Sequence, residues 1–256
     1  MDKIKVSGCI VTYNAKDKIA PTIDSLLEKT KGVDFTLYIV DNASQDGTAQ
    51  YIKEKYPQVV VIESKVNSGF GAGHNKVLPF LESDFHAVIN PDILLEDDVI
   101  TELSEYASKD ESIGLLSPQI RFTDGRVQML AKRNPTVRYL GNHWFHKGDE
   151  PNRLMTEYCM LDMPEDTPFE ITNATGCFMF FRTEVFRELG GFDERFFMYL
   201  EDCDIARRVS EKYKALHYPM ATVYHLWERE SKRNMKLLLI HIQSIVKYFL
   251  KWGIKF

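Results

Sequence analysis

Three polar clusters stand where apolar runs end. Thr12-Tyr13-Asn14 closes the run that begins at Ile4. Asp41-Asn42-Ala43-Ser44-Gln45-Asp46-Gly47 follows residues 35–40, and Asn90-Pro91-Asp92 follows residues 85–89. Open parallel sheets bind ligands at the carboxyl ends of their strands. Any one cluster reads equally well as a turn and helix cap. Three at one sheet edge point to a nucleotide-like ligand.

Asp92 offers a carboxylate just past a buried strand. A hard divalent cation takes oxygen ligands and commonly bridges a carboxylate to substrate phosphates. An Asx-type turn is the simpler reading of the same residues. Glu201-Asp202 follows the aromatic run Phe196-Phe197-Met198-Tyr199. Two adjacent acids beside an apolar wall suit a general base, because burial raises a carboxyl pKa. Asp204 reads instead as surface charge paired with Arg207 or Arg208 on one helix. His225 closes a short strand, and on its own a histidine there is more often structural than a ligand. The loop Gly69-Phe70-Gly71-Ala72-Gly73 resembles part of a dinucleotide fingerprint, but the order of elements is wrong. Such a fingerprint follows the first strand and precedes its acid, whereas Asp41 precedes these glycines. They serve close approach of backbone to a ligand or to the sheet.

The elements that must position these groups alternate. Strands are expected over 4–13, 35–40, 59–62 and 85–89. Ile19, Ile23, Leu26 and Leu27 mark one helical face. Further helices are expected over 48–56, capped by Asp46, near 74–81, and over 97–108. Repeated strand–helix units imply a parallel sheet covered on both faces. Past Ile113 the pattern changes. Strand-like pieces at Ile120 and Val127 flank a Thr123-Asp124-Gly125-Arg126 turn, and residues 131–168 read as irregular. A strand over 177–181, helices over 184–189 and 202–212, and short strands near Leu216 and Val223 complete the α/β domain.

The chain has 256 residues, 44% hydrophobic and 27% charged, which excludes a disordered chain and suffices for a core without disulfides. Its four cysteines show no paired spacing, so neither a zinc site nor a disulfide framework is expected. No signal-peptide pattern and no apolar run of about 20 residues appear, so the expected setting is cytoplasmic. Residues 231–256 hold six Lys or Arg and no acid. The net charge of −5 therefore divides into +6 there and −11 over residues 1–230. This balance argues against a nucleic-acid binder. It suggests a domain over 1–230 and a basic amphipathic helix over 231–256. That helix would pack on the domain, pack on a second subunit, or lie in the plane of a membrane surface.

In order along the chain, several motifs resemble family 2 glycosyltransferases of the GT-A fold. They are Val11-Thr12-Tyr13-Asn14, Val40-Asp41-Asn42 with Asp46-Gly47, Asn67-x-Gly69-Phe70 with Gly73-x-Asn75, and Asn90-Pro91-Asp92. Gly176-Cys177-Phe178-Met179, Gly190-Gly191-Phe192-Asp193-Glu194, Glu201-Asp202-x-Asp204 and His225 follow. Each is weak alone, and the ordered set, over residues 4–227, is specific. The Asn-Pro-Asp form, with Arg133-Asn134-Pro135-Thr136, is similar to bacterial rhamnosyltransferases of surface polysaccharides that use dTDP-rhamnose.

The resemblance implies a Rossmann-like, mostly parallel sheet flanked by helices. It also implies inverting transfer from a nucleotide-diphosphate sugar to a saccharide hydroxyl, with Mn²⁺ or Mg²⁺. Thr12, Tyr13 and Asn14 would line the nucleotide pocket and Asp41 would bind a pyrimidine base. Asn67, Gly69 and Asn75 would shape the nucleoside side of the loop. Asp92 would be the last position of an Asp-x-Asp metal motif whose first position is here Asn90. His225 would be a further metal ligand, Asp202 the base, and Glu201 and Trp227 would lie on the acceptor or donor-sugar side. The family's usual acceptors are lipid-linked, which implies work at the inner face of a membrane. Two other classes compete. One is a non-catalytic nucleotide-sugar or glycan binding module. The other is a nucleotidyltransferase, for which a basic Gly-rich loop after the first strand is missing.

Overall fold

The computed structural model describes residues 3–145, 150–226 and 235–255. Trp227 lies outside them. The first half builds strand–helix units in the expected order. β1 (Lys5–Thr12), α1 (Ala20–Lys29), β2 (Asp34–Asp41), α2 (Thr48–Lys55), β3 (Val60–Glu63), α3 (Phe70–Asn75) and β4 (Phe85–Ile89) follow one another. β3, β2, β1 and β4 pair in parallel in that spatial order. Every residue of β4 is buried, as a central parallel strand covered on both faces requires. α1 turns Ile23 and Leu26 into the core, with Ile19 buried just before it.

The second half is mixed. β5 (Ile93–Leu94), α4 (Val99–Ala107), β6 (Ile113–Arg121), α5 (Val137–Phe145), α6 (Arg153–Tyr158) and β7 (Phe169–Glu170) come next. Then follow β8 (Phe178–Arg182), α7 (Thr183–Glu188), α8 (Glu201–Ser210), β9 (Lys214–His225) and α9 (Met235–Trp252). β8 joins the halves by pairing antiparallel with both β4 and β6, and β6 pairs in parallel with β9. Among the described residues the strands form a single nine-stranded sheet.

Several local expectations are corrected. The N-cap of α2 is Gly47, in the left-handed region, while the Asp46 carboxylate accepts from Thr48 N. The glycine-rich helix begins at Phe70 and ends at Asn75, and Pro79 lies in a separate 3-10 turn over Leu78–Phe80. Residues 131–168 contain α5 and α6. The two short strands near Leu216 and Val223 are one strand, with a register shift opposite Pro118 and Gln119. Val127 makes only an isolated bridge with Arg121 rather than a hairpin strand. All four cysteines are free.

α9 packs on the domain against the segment that carries the paired acids. Asp204 is fully buried, not a surface charge. Its carboxylate takes bonds from Arg208 Nε at 2.9 Å, Lys251 Nζ at 2.7 Å and Trp252 Nε1 at 2.8 Å. Ser244 Oγ donates to the Met198 carbonyl at 2.7 Å, and Tyr248 is buried beside Phe196 and Leu200. No helix among the described residues is long and apolar enough to cross a membrane. Removing one member of a buried charge cluster leaves the others uncompensated and costs about 3–5 kcal/mol. Asp204→Ala is expected to lose that much in urea unfolding, and a loss under about 1 kcal/mol would show that the cluster does not hold the helix.

Candidate active site

The carboxyl ends of β1 and β2 share one hydrogen-bond network. Asn14, at φ +51°, receives Gln45 N on its side-chain oxygen and donates its own N–H to Ser44 Oγ at 2.8 Å. Ser44 N donates to Asp41 Oδ2 at 3.0 Å. Asp41 Oδ1 and Thr12 Oγ1 are buried there without a partner. A buried acceptor with no donor is uncommon in a finished core, and these two suit a ligand that brings its own N–H or O–H groups. Tyr13 stands exposed at the mouth.

The glycine loop closes over this edge. Asn42 Nδ2 donates to the Gly69 carbonyl at 2.8 Å, and Gly69 N donates to Asn67 Oδ1 at 3.0 Å. Gly69 has φ +89°, and a Cβ there would lie 2.1 Å from the Phe197 carbonyl oxygen. Only glycine fits that turn and that approach. Asn75 sits at the back of the loop, where its amide exchanges bonds of 2.8 Å with both the carbonyl and the N–H of Phe192. It therefore fixes the loop to the 190–194 segment from behind.

Asp202 and Asp92 flank one short segment. Gly176 N donates to Asp202 Oδ2 at 2.9 Å, and Asn90 N donates to the Cys177 carbonyl at 2.9 Å. The Cys177 thiol is pushed up by burial first and then by the charges of Asp92 and Asp202. Cys203 N donates to the other oxygen of Asp202 at 2.8 Å. Just before it, Tyr199 and Leu200 hold φ values of +71° and +63°. Such conformations cost of order 1–3 kcal/mol each and persist only where surrounding contacts impose them. Glu201 is buried behind the glycine loop with Oε2 unpartnered. Burial, with the Asp202 charge adding, raises its carboxyl well above the usual carboxylate range.

The imidazole of His225 faces Asp92, with Nε2 3.3 Å from Oδ1. Gln128, which sequence reasoning missed, sets this ring. Its Nε2 donates to the His225 carbonyl at 2.9 Å, so its Oε1 faces His225 Nδ1 at 3.0 Å and can only accept. Nδ1 is therefore placed to donate to it, and Nε2 faces the Asp92 carboxylate. Asp92 Oδ1 is buried and has no hydrogen-bond partner. Asp92 Oδ1 and His225 Nε2 are the two atoms that a cation held near both would take. Among the described residues no group of three or more His, Cys, Asp or Glu converges. Asp92 and His225 would be two of the ligands of a cation that also takes phosphate oxygens and water. Nothing in the local sequence around Gln128 signals its role, since it meets His225 only through the sheet.

Residues 7–190 match the family model described as "Glycosyl transferase family 2". The N-acetylglucosaminyl-diphospho-decaprenol L-rhamnosyltransferase of Mycobacterium tuberculosis is 28% identical over 228 residues, covering 84% of this chain and 74% of that protein. The fold is similar to the mannosyltransferase PcManGT of Pyrobaculum calidifontis, solved with GDP-Man and Mn²⁺, at a TM-score of 0.67 and 18% identity. That match covers 96% of this chain and 63% of the other. GalNAc-T7, solved with UDP, GalNAc and Mn²⁺, matches at a TM-score of 0.69 and 16% identity, over 97% of this chain and 48% of the other. Its motifs and its sheet together place this chain in glycosyl transferase family 2, to which it belongs.

Proposed function

We propose that the protein transfers a sugar, with inversion, from a nucleoside-diphosphate donor to a hydroxyl of a saccharide acceptor. The observation that supports this reading is the Gly176-Cys177 segment, where Gly176 N donates to Asp202 and the Cys177 carbonyl accepts from Asn90, two residues before Asp92. The leading donor is dTDP-rhamnose and the leading acceptor a lipid-linked saccharide; the mycobacterial relative, named as an L-rhamnosyltransferase for a decaprenol-linked sugar, supports the rhamnosyl group and the acceptor class. A UDP-hexose is the alternative donor.

In this reading the nucleotide lies against Thr12, Tyr13, Asn14 and Asp41, under the loop shaped by Asn67, Gly69 and Asn75. Asp41 Oδ1 takes the single N–H of the pyrimidine base, and Thr12 Oγ1 lines the same pocket. Asp92 and His225 would hold Mn²⁺ or Mg²⁺, which when bound offsets the charge gathering on the leaving diphosphate. Asp202 accepts the proton of the acceptor hydroxyl while its oxygen attacks the anomeric carbon and the bond to the diphosphate breaks. Two backbone N–H bonds hold its carboxylate in one orientation, so little reorganisation accompanies that transfer. Glu201 lies buried behind the loop, its carboxyl pushed up by burial and by the Asp202 charge. Trp227 is assigned to the acceptor side on family resemblance alone.

Asp202→Asn is expected to lower transfer by about 10²–10⁴-fold while donor affinity by calorimetry stays unchanged. Turnover near wild type would remove Asp202 from the base role, and unchanged donor binding with no turnover in the wild type would favour the binding module. Asp92→Ala should abolish the gain in nucleoside-diphosphate affinity on adding Mn²⁺. The metal assignment fails if wild-type affinity is the same with and without the ion. Gln128→Leu frees the His225 ring to rotate, and Mn²⁺ binding read by electron paramagnetic resonance should weaken about 10–100-fold. An unchanged Mn²⁺ titration would show that the glutamine does not orient a ligand.

A further inference from the structure

The domain covers only one face of α9. Toward it the helix buries Ser244 and Tyr248 and anchors Lys251 and Trp252 on Asp204. Away from it Met235, Leu238, Leu239, Ile242, Val246 and Leu250 are exposed, from 39% for Leu238 to 81% for Leu250. At 100° per residue these six fall within one arc of about 120°. Exposed Lys236 borders the arc on one side, and Lys247 on the same side reaches back to the Arg195 carbonyl. Scattered exposed apolar residues are ordinary, but a continuous stripe on a firmly docked helix marks a contact surface.

We propose that this outer stripe docks on an anionic lipid surface, with α9 lying in the plane of the interface. Charge selects the partner. Residues 231–256 carry +6 with no acid, while the rest of the chain carries −11. An anionic surface therefore repels the body and attracts the molecule at this end. A second copy fits the stripe less well. An antiparallel two-fold pairing of the stripes would bring each basic border beside its own copy, where like charges oppose. The helix is also suited to lying flat rather than crossing, since Lys236, Lys247 and Lys251 interrupt its 18 residues. Its inner face holds Met198 through Ser244, Arg195 through Lys247 and the ring of Tyr199 through His241. The segment leading to Asp202 would then stand about one helix width, roughly 10 Å, from the lipid. The inference rests on the helix surface and goes beyond the transfer reading.

Flotation of the full chain with vesicles tests it. Binding to vesicles containing phosphatidylglycerol should exceed binding to phosphatidylcholine alone by about tenfold or more, and salt should weaken it. The variant Leu239→Ser/Val246→Ser/Leu250→Ser should bind at least about tenfold more weakly, with an unchanged melting curve because all three positions are exposed. Four results would overturn the proposal. These are no flotation of the wild type, equal flotation with neutral vesicles, equal flotation of the variant, or a dimer in sedimentation that the variant converts to monomers without any vesicle binding.

Discussion

The site depends on two backbone hydrogen bonds at one place. Gly176 donates to Asp202 and the next residue, Cys177, accepts from Asn90. The first bond reaches α8, and the second reaches the end of β4 beside Asp92. A Cβ on Gly176 would sit 3.2 Å from the Phe70 ring and 3.3 Å from Asp202 Cβ, so the glycine loop closes on the same point. Residues from four distant stretches of chain thus meet where the parallel and antiparallel halves of the sheet join. Move this segment and the two carboxylates lose their common reference.

The parallel half was legible because its signals are local. Buried strands read as apolar runs, their polar ends mark the ligand edge, and Ile19, Ile23 and Leu26 give a helical period. The second half depends on contacts far apart in sequence. β9 looks broken because its residues meet β6 through a register shift, a feature of pairing and not of composition. α5 and α6 lie in a stretch without a clear period. Asp204 has the spacing of a surface ion pair with Arg208, and that pair forms. Its burial follows from Lys251 and Trp252, which no spacing rule connects to it. Gln128 was invisible for the same reason, since its role exists only once β9 brings His225 alongside.

The segment before the acids is held by its surroundings rather than by its own preference. Tyr199 and Leu200 adopt backbone angles that side chains resist, and the Phe197 carbonyl accepts from Phe70 N at 2.9 Å. Gly69 must approach that carbonyl, so the loop over the nucleotide edge and the turn before Asp202 are one packed unit. α9 presses on the other side of the same turn through Ser244 and Tyr248. Strain of this kind fixes a side chain more tightly than a relaxed loop would.

The anchor of α9 also sets an order of events during synthesis. Asp204 and Lys251 are 47 residues apart. At about 5–20 residues per second, the aspartate is made roughly 2–10 s before its lysine. Through that interval a carboxylate destined for the interior has only Arg208 as a nearby counter-charge, so it favours water over burial. The turn that carries Asp202 thus gains two of the buried partners of its neighbour Asp204 only once the distal helix has been made.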